Sequence, residues 1–199
     1  MRIRLQVIFV AALFAAATAH AQAAAKPAAA HPAVAQPAAA QAVTLDVTIN
    51  GKTLDVRQGT TLVASYQVSP GVAAHPTPQG KFAIHRLVWN PPWAPPKAGW
   101  AKGKKATPPG HPKNPMKVVK IFFKEPDYYI HGTADEQALG DPASHGCIRM
   151  SAADAYALAK IVMQNGGAAK PDSWYASVRN GNKTVEVRLP KPVAITIAP

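Results

Sequence analysis

Residues Ser144–Arg149 read SHGCIR and hold the one cysteine of this 199-residue chain. A second histidine–glycine pair, His131-Gly132, lies just upstream. A lone free cysteine ordinarily packs as a small hydrophobe. Here the neighbouring residues are those of nucleophilic catalysis. Acyl transfer by cysteine needs a thiolate, a base to form it, and donors for the oxyanion. A helix reads from Ser151 onward, so Cys147 stands a few residues before its positive end. That field, with a nearby imidazole, lowers a thiol pKa. Gly146 lets backbone approach the reaction centre, and the amides of Gly146 and Cys147 can face an oxyanion. Arg149 has the planar fork that pairs with a carboxylate. Two histidines compete for the role of base. His145 shares a face with Cys147 in an extended segment, and a loop can equally bring His131 there.

Two other chemistries fit less well. His131, His145 and Cys147, with Asp135 or Asp141, make a mixed zinc donor set, but the spacings are not those of paired ligands. A papain-like peptidase needs a histidine far downstream of its cysteine, and no histidine follows His145.

The elements that must position these groups are mostly strands. Val43, Leu45, Val47 and Ile49 alternate with polar residues, the period of a half-buried strand. Asn50-Gly51 signals a hairpin turn. Strands continue at Leu54–Val56 and Leu62–Val68 across Gln58-Gly59, and again at Lys81–Leu87. The stretch VWNPPWAPPKAGWAKGKKATPPGHPKNP is rich in proline and has no helical period. It reads as a long irregular loop, a feature that often borders a functional site. Strands follow at Val118–Phe123 and Tyr128–His131. SAADAYALAKIVMQNGG reads as a helix, with Ser151 as cap, Asp154 closing the capping box and Gly166-Gly167 ending it. SWYASVR, an Asn180-Gly181 turn, KTVEVRLP and PVAITI read as further strand-like segments.

The N-terminal residues MRIRLQVIFVAALFAAATAHAQA have a basic start, an apolar core and small-x-small sites. That is the pattern of a cleaved secretory signal over residues 1–23, with an uncleaved anchor as the alternative. Residues 24–42 are alanine and proline with nothing large to bury, a flexible linker. Residues 43–199 suit one catalytic domain. No later segment is apolar enough to cross a bilayer. The expected location is the periplasm or cell wall. In an oxidising compartment a single cysteine staples nothing and is a hazard unless buried or used. The formal net charge is +12. Export argues against nucleic acid as partner and leaves anionic lipid, an acidic wall polymer or a merely solvated basic loop.

The segment YIHGTADEQALGDPASHGCIRMSAADAYAL resembles the signature of the L,D-transpeptidase catalytic domain, the YkuD-type family. His131-Gly132 matches its histidine–glycine, and Ser144-His145-Gly146-Cys147 its SHGC, with Arg149 in the later position. HPTPQGKFAI resembles the family's TP-x-G-x-F stretch at Thr77, Pro78, Gly80 and Phe82. WNPPWAPP and PPGHPKNPM resemble proline-rich segments of its ErfK-like bacterial branch. The resemblance runs from about Val43 to Ile197. It implies a mainly β fold, a sandwich of mixed strands with a short helix following the cysteine. It also implies a chemistry without metal or organic cofactor. Cys147 attacks the meso-diaminopimelate carbonyl of a peptidoglycan tetrapeptide stem, D-alanine leaves, and an amine resolves the thioester. The product is a 3-3 cross-link or, if the amine is a lipoprotein lysine, a wall-attached lipoprotein. Water as acceptor gives carboxypeptidase or endopeptidase activity, and an inert wall-binding module is the non-enzymatic alternative. The resemblance makes His131 the base, oriented by the Gly132 carbonyl, with His145 and Gly146 shaping the site. Arg149, Ser144 and Tyr129 are then the residues expected at the substrate.

Overall fold

The computed structural model describes residues 42–199. The signal and most of the linker read from the sequence lie outside the described residues. Eight strands form one mixed ladder. They are β1 (Val43–Thr48), β2 (Thr53–Gln58), β3 (Thr61–Gln67), β4 (Gly80–Trp89), β5 (Lys117–Lys124), β6 (Tyr128–Gly132), β7 (Ile148–Met150) and β8 (Val185–Ala198). Their spatial order is β3-β2-β1-β8-β4-β5-β6-β7. The β1–β8 and β6–β7 pairs are parallel and the others antiparallel. The fold is thus the mainly β, mixed-strand architecture. The ladder curls until its ends meet. Just beyond β3, Ser69 exchanges two backbone hydrogen bonds with Arg149 of β7, at 2.8 and 2.9 Å.

The core follows from strand alternation. Leu45, Leu54, Val56, Ile84, Leu87, Ile121, Ile130 and Ile148 are all fully buried. Helix α1 (Ala152–Asn165) covers them, packing across β5, β6 and β8 through Leu158, Val162 and Met163. Burying side chains of this size stabilises the fold by about 2 kcal/mol each. Ser151 caps α1, its Oγ accepting the Asp154 N–H at 3.0 Å. Gly167, at φ 76°, ends it, and the Ala168 N–H returns to the Met163 carbonyl at 2.8 Å. These are the two bonds a helix needs where its ladder stops.

Three expectations are corrected. SWYASVR lies in a helix, α2 (Asp172–Asn180), rather than a strand. Trp174, Tyr175 and Val178 recur at helical spacing, and Tyr175 and Val178 are buried. Trp174 and Tyr175 meet the buried Trp89 ring at 5.9 and 6.0 Å, so tertiary packing overrides aromatic strand propensity. KTVEVRLP and PVAITI belong to one strand, β8. Its prolines fall between Arg188 and Val193, where the β4 partner register slips and no ladder donor is needed. Finally, the three-residue strand β7 stands between Cys147 and α1. The helix therefore begins five residues after the thiol, with an extended segment between them rather than a direct step into the helix.

Residues 90–116 contain a 3₁₀ turn at Gly99–Ala101 and one antiparallel bridge, in which Trp93 and Thr107 exchange two backbone hydrogen bonds at 2.9 and 2.8 Å. Proline-rich chain extends such a ladder poorly. Buried Asn114 adds a second tie. Its amide donates to the carbonyls of Pro91 and Pro108 at 2.9 and 3.1 Å, and its oxygen accepts the Met116 N–H at 2.8 Å. Asn114→Ala is expected to cost about 1–3 kcal/mol. It should lower the thermal midpoint by several degrees and speed tryptic cleavage at Lys97–Lys113. An unchanged cleavage rate would show that the loop is held by something else.

Candidate active site

The curled ladder has a second face. Alternation sends Ile130, Ile148 and Met150 into the core and Tyr129, His131, Cys147 and Arg149 the other way. On the neighbouring strand, Val119 and Ile121 point inward and Lys120 outward. These groups line one cleft of about 790 Å³, whose far wall is the proline-rich loop with Trp93 and Trp100.

The SHGC turn is tied at both ends. Ser144 is buried. Its hydroxyl donates to the Cys147 carbonyl and accepts the Gly146 N–H at 3.1 Å. The Ser144 hydroxyl, expected at the substrate, is thus committed to the turn, and the Gly146 amide is occupied. The Val72 N–H donates to the Ser144 carbonyl at 3.0 Å, pinning the turn to the chain after β3. Thr77 of the TP-x-G stretch accepts the Gly71 N–H at 2.9 Å. Gly71 lies so close to the turn that a Cβ there would stand 2.8 Å from the Gly146 nitrogen. Gly146 itself has φ 106°, and a Cβ on it would stand 2.6 Å from Tyr128 Cε1. Only glycine fits either place.

His131 is 2% exposed. Its Nδ1 lies 2.9 Å from the Gly132 carbonyl. Nδ1 therefore carries the proton and Nε2 keeps its lone pair. Burial pushes the imidazole down to about 4, the Gly132 bond opposing and Arg149 and Lys120 adding to the depression. The ring is neutral at neutral pH. Gly132 has no room for a side chain, since a Cβ would meet the Lys117 carbonyl at 2.8 Å.

The Cys147 thiol donates to the Asp127 carbonyl at 3.4 Å. Burial pushes it above the ordinary cysteine value. The backbone and hydroxyl of Tyr129, then Lys120 and Arg149, pull the other way. The Tyr129 phenol is itself raised, first by burial and then by the neighbouring sulfur. Arg149 is lowered by burial, with Cys147 and Asp135 opposing. His145 is placed differently. It is exposed, stacks on Trp100 at 3.9 Å and 14°, and tilts against His75 at 4.6 Å. Its pKa is lowered by burial first, then by His75, Lys104 and Arg149.

So Cys147, His131, Tyr129 and Arg149 come together at the cleft floor, with His145 at the rim. Lys120, Trp100 and His75 are also there and were not read from the sequence. Lys120 did leave a signal, a cation flanked on both sides by apolar residues in KVVKIFF. Trp100 left none, because irregular loops have no period to read. Among the described residues, no group of three or more His, Cys, Asp or Glu side chains is arranged to hold a metal ion.

Residues 42–187 match the model of the L,D-transpeptidase catalytic domain, YkuD. The chain belongs to the YkuD-type L,D-transpeptidase family. A Bacillus licheniformis protein assigned to that class under the name YkuD is 29% identical over 116 residues, 58% of each chain. Bacillus subtilis YqjB, assigned likewise, is 36% identical over 90 residues, 43% of this chain and 46% of that one. The chain thus matches about half the length of these curated relatives. Among solved structures, an L,D-transpeptidase from Mycobacterium smegmatis is similar at a TM-score of 0.49 and 16% identity. The match covers 78% of this chain and 58% of that one.

The depressed imidazole has a stability consequence. Unfolding releases His131 to its ordinary pKa of 6.5, so below that value the unfolded state binds a proton that the folded state refuses until about pH 4. Stability from this group is present above pH 6.5 and lost as pH falls toward 4, by about 3 kcal/mol in all. Urea unfolding at pH 7 and pH 4.5 should show a smaller acid loss in His131→Gln than in the parent. Equal losses would mean that the imidazole is not buried neutral.

Proposed function

We propose that this chain is a peptidoglycan L,D-transpeptidase with Cys147 as nucleophile and His131 as base. Membership of the family supports this, together with one observation. Adjacent strands β6 and β7 present His131 and Arg149, with Cys147 just before β7, on one wall of one cleft. The substrate is a tetrapeptide stem ending in meso-diaminopimelate and D-alanine. The setting is the periplasm or wall of a bacterium, reached through the N-terminal signal.

The proposed reaction has two acyl transfers. The Sγ–H turns from the Asp127 carbonyl toward His131 Nε2, a movement that substrate binding must drive. Sulfur attacks the diaminopimelate carbonyl, and the thiol proton passes to Nε2. Since the imidazole is neutral and the thiol is held protonated by burial, proton transfer accompanies attack rather than preceding it. The Gly132 carbonyl holds the ring and stabilises the imidazolium that forms. Collapse of the tetrahedral intermediate breaks the C–N bond, and His131 gives its proton to the departing D-alanine. A thioester remains. An amine then attacks it, losing a proton to Nε2, and the sulfur leaves. A stem amine gives a 3-3 cross-link, a lipoprotein lysine gives an anchored lipoprotein, and water gives a shortened stem. Arg149 and Tyr129 hold the donor stem beside the sulfur. His145, stacked under Trp100, shapes the cleft mouth through which a second substrate enters. No cofactor is needed.

One observation favours the inert wall-binding alternative, namely the thiol's bond to Asp127 in place of His131. Mass spectrometry of the protein with disaccharide-tetrapeptide separates the two. The expected result is loss of D-alanine and an acyl adduct on Cys147, both absent in Cys147→Ala. The mass of the released product identifies the acceptor. No adduct and no D-alanine from pH 5 to 9 would sink the enzyme reading.

The loop also carries exposed Lys97, Lys102, Lys104, Lys105 and Lys113. Such a rim speeds encounter with an anionic polymer and is screened by salt. Replacing three of these lysines by glutamate is expected to weaken sacculus binding at 20 mM salt. The difference should largely vanish at 500 mM. Equal binding at both would remove the rim from the account.

A further inference from the structure

We propose that Lys120 is a positioning residue for the nucleophile, its ammonium serving as the counter-ion that holds negative charge on the Cys147 sulfur. This rests on Cys147 being the nucleophile, yet the thiol's ionisation can be read without any wall substrate.

Lys120 reaches the cleft through an irregularity in β5. Lys117 pairs with Gly132, and the next pair is Lys120 with His131, so two residues of β5 stand opposite none of β6. Val118 within this bulge has φ 65°, a costly conformation for a β-branched residue. Bulges re-aim side chains beside functional sites. Here the bulge sets Lys120 opposite His131 and over the Tyr129 ring, with Nζ 4.5 Å from its centroid.

There Lys120 has no ordinary anion. It joins none of the salt bridges among the described residues. A half-buried ammonium without a carboxylate is costly. Arg149, the other cation at the sulfur, already feels Asp135. Burial depresses Lys120, Arg86 depresses it further, and Cys147 is the one group that opposes them. The relation is reciprocal, because Lys120 also opposes the upward push of burial on the thiol.

Burial holds the sulfur neutral, and the groups around it oppose that push. From β6, the backbone and hydroxyl of Tyr129 favour the thiolate. From β7 comes Arg149, and from β5 Lys120. His131 is neutral and supplies no charge. Asp127 presents its carbonyl, and His145 is stacked at the rim. The charges favouring ionisation are these two cations. When the thiol ionises, the S–H electron pair stays on sulfur and the proton goes to water in the free protein or to His131 Nε2 during attack.

Iodoacetamide tests this. The thiolate forms an S–C bond as the C–I bond breaks and iodide leaves, and mass spectrometry follows the adduct on Cys147. In the full chain, Lys120→Met should move the alkylation midpoint up by about one pH unit. At a fixed pH below that midpoint, alkylation should slow by about tenfold. Lys120→Arg should restore it, and Lys117→Met, on the same strand but outside the cleft, should leave it unchanged. If Lys120→Met loses its cooperative unfolding transition, Lys120→Gln is read instead. An unshifted midpoint in a folded Met or Gln variant overturns the proposal, including where KM for a stem rises and Lys120 is instead holding a substrate carboxylate. A shifted midpoint in a protein that never releases D-alanine upholds it while refuting the transferase reading.

Discussion

The meeting of Ser69 with Arg149 is the constraint on which the rest of the structure depends. Those two hydrogen bonds join the outer ends of an eight-stranded ladder. They hold β7, which has only three residues and is otherwise paired with β6 alone. A strand so short has little stability of its own. Once both its edges are paired, the turn before it is held too. Gly71 against Gly146, Val72 on Ser144 and Thr77 on Gly71 complete the tie. The cysteine is thus positioned by backbone contacts between segments about 75 residues apart in the sequence.

That arrangement separates two tasks. One face of the ladder, with α1, is an apolar core built from side chains that pack by size. The opposite face carries the titratable groups, each held by an element that the core has already made rigid. His131 is the clearest case. It alternates with Ile130, so burying Ile130 aims the imidazole at the cleft, and the Gly132 carbonyl then chooses which nitrogen keeps its lone pair. Burial makes the ring neutral and the thiol protonated in the resting state. The cleft compensates with cations and donors around the sulfur.

Much of this was legible in the chain. The strands β1 to β6 were found within a few residues, as was α1 with its cap and its glycine end. The SHGC and His-Gly motifs named the groups on the cleft floor, and the proline-rich stretch was found as an irregular loop bordering it. Other parts were less readable for specific reasons. SWYASVR has strand-like aromatics, and the Trp89 surface that makes it a helix lies far off in sequence. β7 is too short to show a period. Pro190 and Pro192 looked like breaks because the slip in register that tolerates them belongs to β4.

The sequence by itself determined that a thiol and two histidines share one region and that the fold is mainly β. These depend on residue type and on local period, which are written along the chain. Only the tertiary structure decided which histidine sits where, with His131 buried beside the floor and His145 stacked on Trp100 at the rim. It alone inserted β7 between the thiol and α1, and brought Lys120 over the Tyr129 ring into the cleft that Cys147 lines, through the bulge at Val118. Each of these depends on register and burial between distant strands. A one-residue slip in either would send the same side chain to the opposite face.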